Sequence, residues 1–137
     1  TPGTVSFELL ESIFLDDTDE VVSQNIERLK RLGIDIDIDD FGTGHASIAG
    51  LLKLKPKRLK IDRQFVLAIA ESAEKRRLTS SMIDMAKALN IEVVAEGVET
   101  AAIQDRLRAL ACDEAQGYHI ARPLPVDDFL TWQARQW

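Results

Sequence analysis

The sequence has few of the residues that would point to a secreted, disordered or membrane-spanning protein. One cysteine in 137 residues excludes an internal disulfide framework and is typical of a reducing compartment. Seven glycines and four prolines are too few for a collagen-like or disordered chain. No apolar run approaches the roughly 18 residues of a membrane span, and the N-terminus TPGTVSFELL does not resemble a signal peptide. We therefore predict a cytoplasmic protein, or the cytoplasmic part of a membrane-anchored one, with no membrane insertion of its own.

Acidic residues outnumber basic ones, 23 to 17, and this excess of negative charge disfavours some classes of binding partner. The net charge of -6 disfavours DNA and anionic membranes as partners, because their binding needs a basic face. With 45% hydrophobic residues, the chain can build the core of one globular domain. The sequence begins at Thr1 rather than at methionine, which we interpret as the start of a processed or excised piece.

Apolar residues follow two periods along the chain, which predicts alternating strands and helices. Strands are predicted at 5–9, 34–38, 58–62, 91–95 and 113–116. Helices are predicted from capping residues at 17–19 to Leu32, at 47–52, at 65–89 with a break near 71–72, at 100–110 and at 127–133. Gly33 and Asn90 are placed to end two of these helices. This alternation indicates right-handed crossovers and a parallel sheet.

Polar side chains collect at the predicted strand ends, and they separate two architectures that both fit the alternation. One is an open doubly wound sheet, and the other is a (β/α) barrel. In a barrel, the active-site residues lie at the carboxyl ends of the strands. Those ends here carry acidic, basic and amide groups: Glu8, Asp39, Asp40, Lys60, Asp62, Glu96 and Gln116. We therefore predict an α/β protein made of about five βα units of a (β/α)8 TIM-type barrel.

The stretch GIDIDIDDFGTG at 33–44 places an aspartate at every second position of a predicted strand, where like charges repel. Glycines after the strand allow a sharp exit, so that Asp39 and Asp40 can converge on one point. A divalent cation would relieve their repulsion, and oxygen ligands suit Mg²⁺, Mn²⁺ or Ca²⁺. A turn built from capping aspartates is the alternative. Asp35 and Asp37 are expected lower on the lumen face and not as ligands.

Further motifs add candidate residues to the same rim. Lys60 and Asp62 share one strand face, where the lysine could stabilise negative charge or help to deprotonate a water, and a lumen salt bridge is the alternative. Glu96 ends the next strand, whereas Glu99, three residues later, also fits an ordinary helix entrance. The first and last predicted strands contribute Glu8, Glu11 and Gln116.

At these residues the sequence closely resembles the EAL family, the phosphodiesterases that linearise the bacterial second messenger cyclic di-GMP. The matching motifs are FELLES at 7–12, DDFGTG at 39–44, LKID at 59–62, VVAEGVET at 93–100, CDEAQGY at 112–118 and ARPLP at 121–125. They cover nearly the whole chain in the family's order. The resemblance implies a modified (β/α)8 barrel that hydrolyses cyclic di-GMP to linear pGpG with two divalent ions, Mg²⁺ or Mn²⁺.

The resemblance also implies a role for each matching residue. The metal ligands would be Glu8, Asp39 and Asp40. The catalytic residues would be Lys60, Asp62 and Glu96. The residues that support the site or anchor the mobile loop at 41–47 would be Glu99, Gln116 and Glu11.

Within this implied site, Asp39 would bridge the two metals, and Asp62 would lie close to the second one. Lys60 would orient or deprotonate the attacking water, and Glu96 would act as general base or hold a metal-bound water. The two ions would clamp a bridging phosphate and generate hydroxide for in-line attack. The two ions would also allow a chain with a net negative charge to bind an anionic substrate.

Several features depart from the family pattern. Leu10 stands where the family usually has threonine, and His45 where it usually has an aromatic residue, and both concern the mobile loop. The Glu-Ala-Leu motif and a downstream asparagine ligand are absent from these residues, so we interpret 1–137 as the second half of an EAL domain. Barrels of this type run to about 250 residues, and we expect the fragment alone to be inactive. The complete domain is expected to form homodimers and to follow sensory or GGDEF-type domains.

Two other functions are compatible with parts of the pattern. An inactive EAL domain would act as a cyclic di-GMP receptor or as a regulatory interaction module, and the ligands of the absent half would decide between that role and catalysis. A phosphoacceptor receiver domain would use Asp39 and Asp40 as its acidic pair. It is disfavoured because Lys55 and Pro56 follow only 16 residues after Asp39.

Overall fold

The computed structural model describes residues 5–11, 20–44 and 47–136. Its strands are β1 (Ser6–Leu10), β2 (Asp35–Phe41), β3 (Arg58–Ile61), β4 (Glu92–Ala95) and β5 (Glu114–Ala115). Its helices are α1 (Glu20–Arg31), α2 (Ile48–Leu54), α3 (Arg63–Ala68), α4 (Ala73–Ala88), α5 (Ala101–Ala109) and α6 (Val126–Gln136). The predicted alternation of strands and helices is confirmed.

The strands form one parallel sheet in the order β1-β2-β3-β4-β5. A sequential order without reversal is that of successive βα units in a barrel, whereas a doubly wound sheet reverses its strand order. The barrel prediction is therefore confirmed, and the doubly wound alternative is wrong. Pairing between β2 and β3 shifts register between Ile38 and Phe41, which bends β2 just where its acidic end begins.

The two faces of the sheet differ sharply in character. The face toward the helices buries aliphatic side chains almost completely, including Ile36, Ile38, Leu59, Ile61 and Val93. Full burial of one such side chain contributes about 1.5–3 kcal/mol, so this layer supplies the main stabilising force. The opposite face, which corresponds to the lumen of a barrel, carries the aspartates of β2 and the basic residues of β3. The fold therefore places charge on the face where a barrel enzyme builds its site.

Hydroxyl side chains start three of the helices. Ser47 Oγ accepts a hydrogen bond from the Gly50 amide at the start of α2. Ser72 does the same for α4, which confirms the predicted break near residues 71–72, and Thr100 caps α5. Gly33 and Asn90 follow α1 and α4 with φ of 77° and 58°, as predicted for residues that end helices. The capping residues predicted at 17–19 lie outside the described residues.

Three helices differ in extent from the prediction, and one of them, α3, starts at Arg63 instead of at residue 65. Helix α2 continues to Leu54 because Lys55 takes the left-handed conformation, with φ of 49°, and ends the helix one residue before Pro56. Helix α6 runs from Val126 to Gln136, and none of its described side chains is buried. Within the described ranges, no helix has both the length and the apolar character needed to cross a membrane.

Candidate functional site

Lys60 lies at the centre of a group of carboxylates at the carboxyl end of the sheet. Its Nζ lies 2.8 Å from Glu8 Oε1 on β1, 3.1 Å from Asp39 Oδ1 on β2 and 2.8 Å from Glu96 Oε1 after β4. The parallel pairing of β1 to β4 brings these groups together, because side chains at every second position of a strand point to the same face of the sheet. They are staggered along that face, since Glu8 pairs in register with Asp37 and Lys60 with Val94. The predicted rim is therefore a real cluster of side chains.

The charge state of Lys60 follows from its surroundings. Burial by itself lowers the pKa of Lys60, but hydrogen bonds to Glu8, Glu96 and Asp39 raise this pKa well above its ordinary value. The side chain is therefore a cation in this arrangement and donates hydrogen bonds to the carboxylates. These contacts form the lumen salt bridge that the sequence offers as an alternative role for Lys60.

A second grouping at the same edge consists of carboxylates alone. One carboxylate oxygen each from Asp39, Asp40 and Glu96 lie within 4.8 Å of one another. Oxygen donors at this spacing match the chemistry of Mg²⁺ and Mn²⁺, which bind carboxylates in preference to softer ligands. The residues present therefore fit a divalent cation. Glu8 lies outside this group of three and, like Asp39 and Glu96, contacts Lys60. Its role as a metal ligand, which the resemblance implies, stays a prediction.

Asp40 has a left-handed backbone conformation and a raised pKa. Its φ of 55° places it in the left-handed region, and its amide donates to Asp39 Oδ1 over 3.1 Å. Burial, together with the charges of Asp39 and Asp62, raises the pKa of Asp40 above 3.8. Asp62 Oδ1 in turn accepts a hydrogen bond of 2.8 Å from the Gln64 amide and caps α3. Asp62 therefore has a structural partner as well as its position beside the acidic group.

Glu11 connects β1 to the loop after β2. The side chain is buried, and its Oε2 accepts hydrogen bonds from Thr43 Oγ1 (3.1 Å) and from the Gly44 amide (3.0 Å). This is the contact that a loop-anchoring role requires, although the role itself stays a prediction. His45 lies outside the described residues.

The two remaining predicted residues lie at the margin of the cluster. The Glu99 carboxylate forms an ion pair with Arg63, at the start of α3, and not with the acidic group. Gln116 is exposed, and its backbone joins the strand ends, since its amide donates to Ala95 O (2.8 Å) and its carbonyl accepts from the Val98 amide (3.0 Å). Their supporting roles stay predictions.

Basic residues opposite the aspartates of β2 were missed by sequence reasoning. Lys57 Nζ lies 3.0 Å from Asp35 Oδ2, and Arg58 donates to Asp37 Oδ2 from Nε (3.1 Å) and Nη2 (2.7 Å). Arg58 Nη2 also donates to Ser6 Oγ on β1. The repulsion along β2 is therefore relieved by Arg58 on β3 and by Lys57 directly before that strand. The signal was available in the sequence as Lys57 and Arg58 before Lys60, but it needed the register of the two strands.

Comparison with known proteins agrees with this geometry. The EAL domain family model matches residues 1–123. MucR of Pseudomonas aeruginosa, named a bifunctional diguanylate cyclase/cyclic di-GMP phosphodiesterase, is 37% identical over 129 residues, which are 94% of this chain and 19% of MucR. The cyclic di-GMP phosphodiesterase NbdA of the same organism is 39% identical over 122 residues, which are 89% of this chain and 16% of NbdA. The chain thus spans less than a fifth of these curated relatives.

Solved structures give the same result. The MucR phosphodiesterase in complex with c-di-GMP aligns with a TM-score of 0.86 and 37% identity, over 93% of this chain and 51% of that one. The manganese and cyclic di-GMP complex of Klebsiella pneumoniae BlrP1 aligns with a TM-score of 0.79 and 30% identity, over 89% of this chain and 31% of that one. The described sheet is accordingly part of a TIM-barrel-like (β/α)8 fold. The chain belongs to the EAL domain family.

Proposed function

We propose that this chain forms part of a metal-dependent phosphodiesterase that hydrolyses cyclic di-GMP to linear pGpG. The observation that carries the proposal is the grouping of Asp39, Asp40 and Glu96 around one edge of the sheet, next to the buried ammonium of Lys60. The names of MucR and NbdA support the substrate, and the manganese complex of BlrP1 supports the metal.

In this proposal the residues of this chain have separate roles. Asp39 and Asp40, with Glu8 from β1, hold two divalent ions, Mg²⁺ or Mn²⁺, and Glu96 holds a water beside them or accepts its proton. When bound, the ions polarise the phosphate and make a water acidic enough to supply the nucleophile. Lys60, kept cationic by its acidic neighbours, orients the water and stabilises negative charge that develops on the phosphate oxygens. Asp62, Glu99, Gln116 and Glu11 support the site and its loop.

The proposal also concerns the extent of the functional unit. Residues 1–137 supply the second half of an EAL barrel, and the segment with the Glu-Ala-Leu motif is required for activity. The complete domain forms a homodimer, acts in the cytoplasm and receives its signal from sensory or GGDEF-type domains. The name of MucR, which includes a diguanylate cyclase activity, supports such an arrangement.

The test is hydrolysis of cyclic di-GMP by the complete domain with Mn²⁺, followed by chromatography of the linear product. We expect Lys60→Met to lower kcat by about 100-fold or more, because it removes a preorganised cation from the reacting phosphate. Lys57→Met is the matched control, since Lys57 is also a lysine paired with an aspartate but lies at the other end of the sheet. It should leave kcat unchanged.

Three outcomes would change the conclusion. Activity of the 137-residue chain alone would contradict the proposal that the other half is required. A complete domain that binds cyclic di-GMP without cleaving it would show a receptor instead of an enzyme. Equal losses in Lys60→Met and Lys57→Met would remove Lys60 from the reaction.

A further inference from the structure

Helix α3 starts between the end of β2, which carries Asp39 and Asp40, and the loop after β4, which carries Glu96. Its preceding strand, β3, pairs with β2 on one side and with β4 on the other. The strand ends remain joined beyond the sheet, because the Asp62 amide donates to Phe41 O over 3.4 Å and the Glu96 amide donates to Ile61 O over 3.2 Å. Side chains at the beginning of α3 can therefore touch both loops.

Two glycines allow these side chains to come unusually close. Gly42 follows the Asp39–Asp40 pair with φ of 104°, and a Cβ built on it would lie 2.5 Å from Cε2 of Phe65. Gly97 follows Glu96 with φ of 68°, and a Cβ built there would lie 2.2 Å from Cγ of Arg63. The turn after β2 and the loop after β4 therefore each lie directly against a side chain of α3.

The position of α3 is itself fixed from three directions. Asp62 caps its first turn, and Val66 and Ala68 are buried in the core. From α4, the Thr79 hydroxyl lies 3.3 Å from the Phe65 carbonyl and 3.2 Å from the Lys75 carbonyl, to either of which it can donate its single proton. A side chain of α5 reaches the residue after the helix, since Arg106 Nη1 donates to Ile69 O over 2.7 Å. A helix held in this way is a rigid support for both loops.

The ion pair between Arg63 and Glu99 extends the contact with the second loop. The two side chains are 60% and 40% exposed, so the pair adds little to the free energy of unfolding. Its effect is geometric, because it stretches the Arg63 side chain across Gly97 between Glu96 and Glu99. The aliphatic stem, and not the charge, makes the close contact with the loop.

We propose that α3 sets the separation between the Asp39–Asp40 pair and Glu96, with Phe65 and Arg63 as positioning residues for the bound cation. The inference rests on the proposed function in one respect, since it takes Asp39 and Asp40 as ligands of the cation and Glu96 as the carboxylate that holds the cation or its water. In this inference, Phe65 positions the turn after β2 through Gly42, and Arg63 positions the loop after β4 through Gly97.

The experiment measures Mn²⁺ affinity directly, by calorimetry on the complete domain without substrate. We expect Arg63→Ala and Phe65→Leu each to weaken Mn²⁺ binding by about 10-fold, the lower end of the range for residues that orient metal ligands. Arg63→Met and Arg63→Lys keep a stem over Gly97 and should bind Mn²⁺ as the parent does. Arg108→Ala is the matched control, because Arg108 forms an exposed pair with Asp105 on α5.

Thermal unfolding separates positioning from a general loss of structure. Variants whose Tm equals that of the parent but whose Mn²⁺ affinity falls support the proposal. If Phe65→Leu does not fold, the Arg63 series decides alone. Parental Mn²⁺ affinity in folded Arg63→Ala and Phe65→Leu would overturn the proposal, and so would an Arg63→Met variant as weak as Arg63→Ala.

The same titration separates this inference from the proposed function. A parent domain that binds Mn²⁺ but does not hydrolyse cyclic di-GMP contradicts the proposed function. In that case the Mn²⁺ affinities of the Arg63 and Phe65 variants still decide whether α3 positions the carboxylates. A parent domain that does not bind Mn²⁺ overturns both.

Discussion

Lys60 shows how one side chain can organise a site. Its ammonium contacts carboxylates from three different parts of the sheet, and its burial makes these contacts stronger than they would be in water. We therefore expect Lys60 to hold the strand ends in place, in addition to the role on substrate that is proposed above. An activity loss in Lys60 variants should be interpreted together with their Tm.

Asp40 gives the metal-free protein a pH dependence of known sign. Its pKa is raised in the folded state, so the folded protein binds this proton more tightly than the unfolded chain does. Stability contributed by the protonated form is therefore lost as the pH rises from below 3.8 through the folded-state pKa. Asp40→Asn should remove this loss and raise the Tm in EDTA more at neutral pH than at about pH 3.

Thermal unfolding across this pH range, with chelator present, checks the expectation. Asp105→Asn is the control, because Asp105 is an exposed acid on α5. A Tm difference between Asp40→Asn and the parent that does not change with pH would contradict it.

At the scale of elements, β2 and β3 are joined by charge pairs as well as by their backbone ladder. Asp37 is nearly fully buried, with 2% of its side chain exposed, and Arg58 supplies two hydrogen bonds to it. Removal of one partner from such a pair leaves an uncompensated buried charge, which costs about 3–5 kcal/mol. Arg58→Met should therefore lower the free energy of unfolding by an amount in that range.

Urea unfolding of matched variants measures this cost. Lys57→Met breaks the neighbouring pair with Asp35, whose side chains are 47% and 30% exposed, and should cost less than about 1 kcal/mol. A double variant, Arg58→Met with Asp37→Leu, should recover much of the loss because no buried charge remains. Equal costs for Arg58→Met and Lys57→Met would contradict the assignment.

The elements also show which features the sequence could predict. The order of strands and helices followed from periodicity, and the break before α4 followed from Ser72, because both depend on local residues. The rim followed from parallel strands ending in polar residues. The pairs Asp37–Arg58 and Arg63–Glu99 could not be predicted, because they join distant positions whose alignment depends on the register of neighbouring strands.

At the scale of the whole molecule, apolar side chains remain exposed on the described surface. Phe7 and Leu10 on the edge strand β1 are about half exposed, as are Phe129 and Leu130 on α6. An exposed strand edge with apolar neighbours is a site of association. We therefore expect the 137-residue chain to self-associate as its concentration rises.

Light scattering after size-exclusion chromatography tests this expectation. Phe7→Lys should shift the chain toward monomer, because a charge on the edge strand opposes pairing with another edge. Val21→Lys is the control, since Val21 is an exposed apolar residue of α1 and not of a sheet edge. A concentration-independent monomer would show that the edge is protected in another way.

The two hydrogen bonds that Glu11 accepts connect the edge strand β1 to the loop after β2. Its backbone continues directly from the edge strand, and its carboxylate holds Thr43 and Gly44 of the loop that follows the paired aspartates. Because only one side chain separates β1 from this loop, we expect a displacement of β1 to move the loop and a displacement of the loop to move β1. We therefore expect the edge strand β1 and the end of β2, which carries Asp39 and Asp40, to move together.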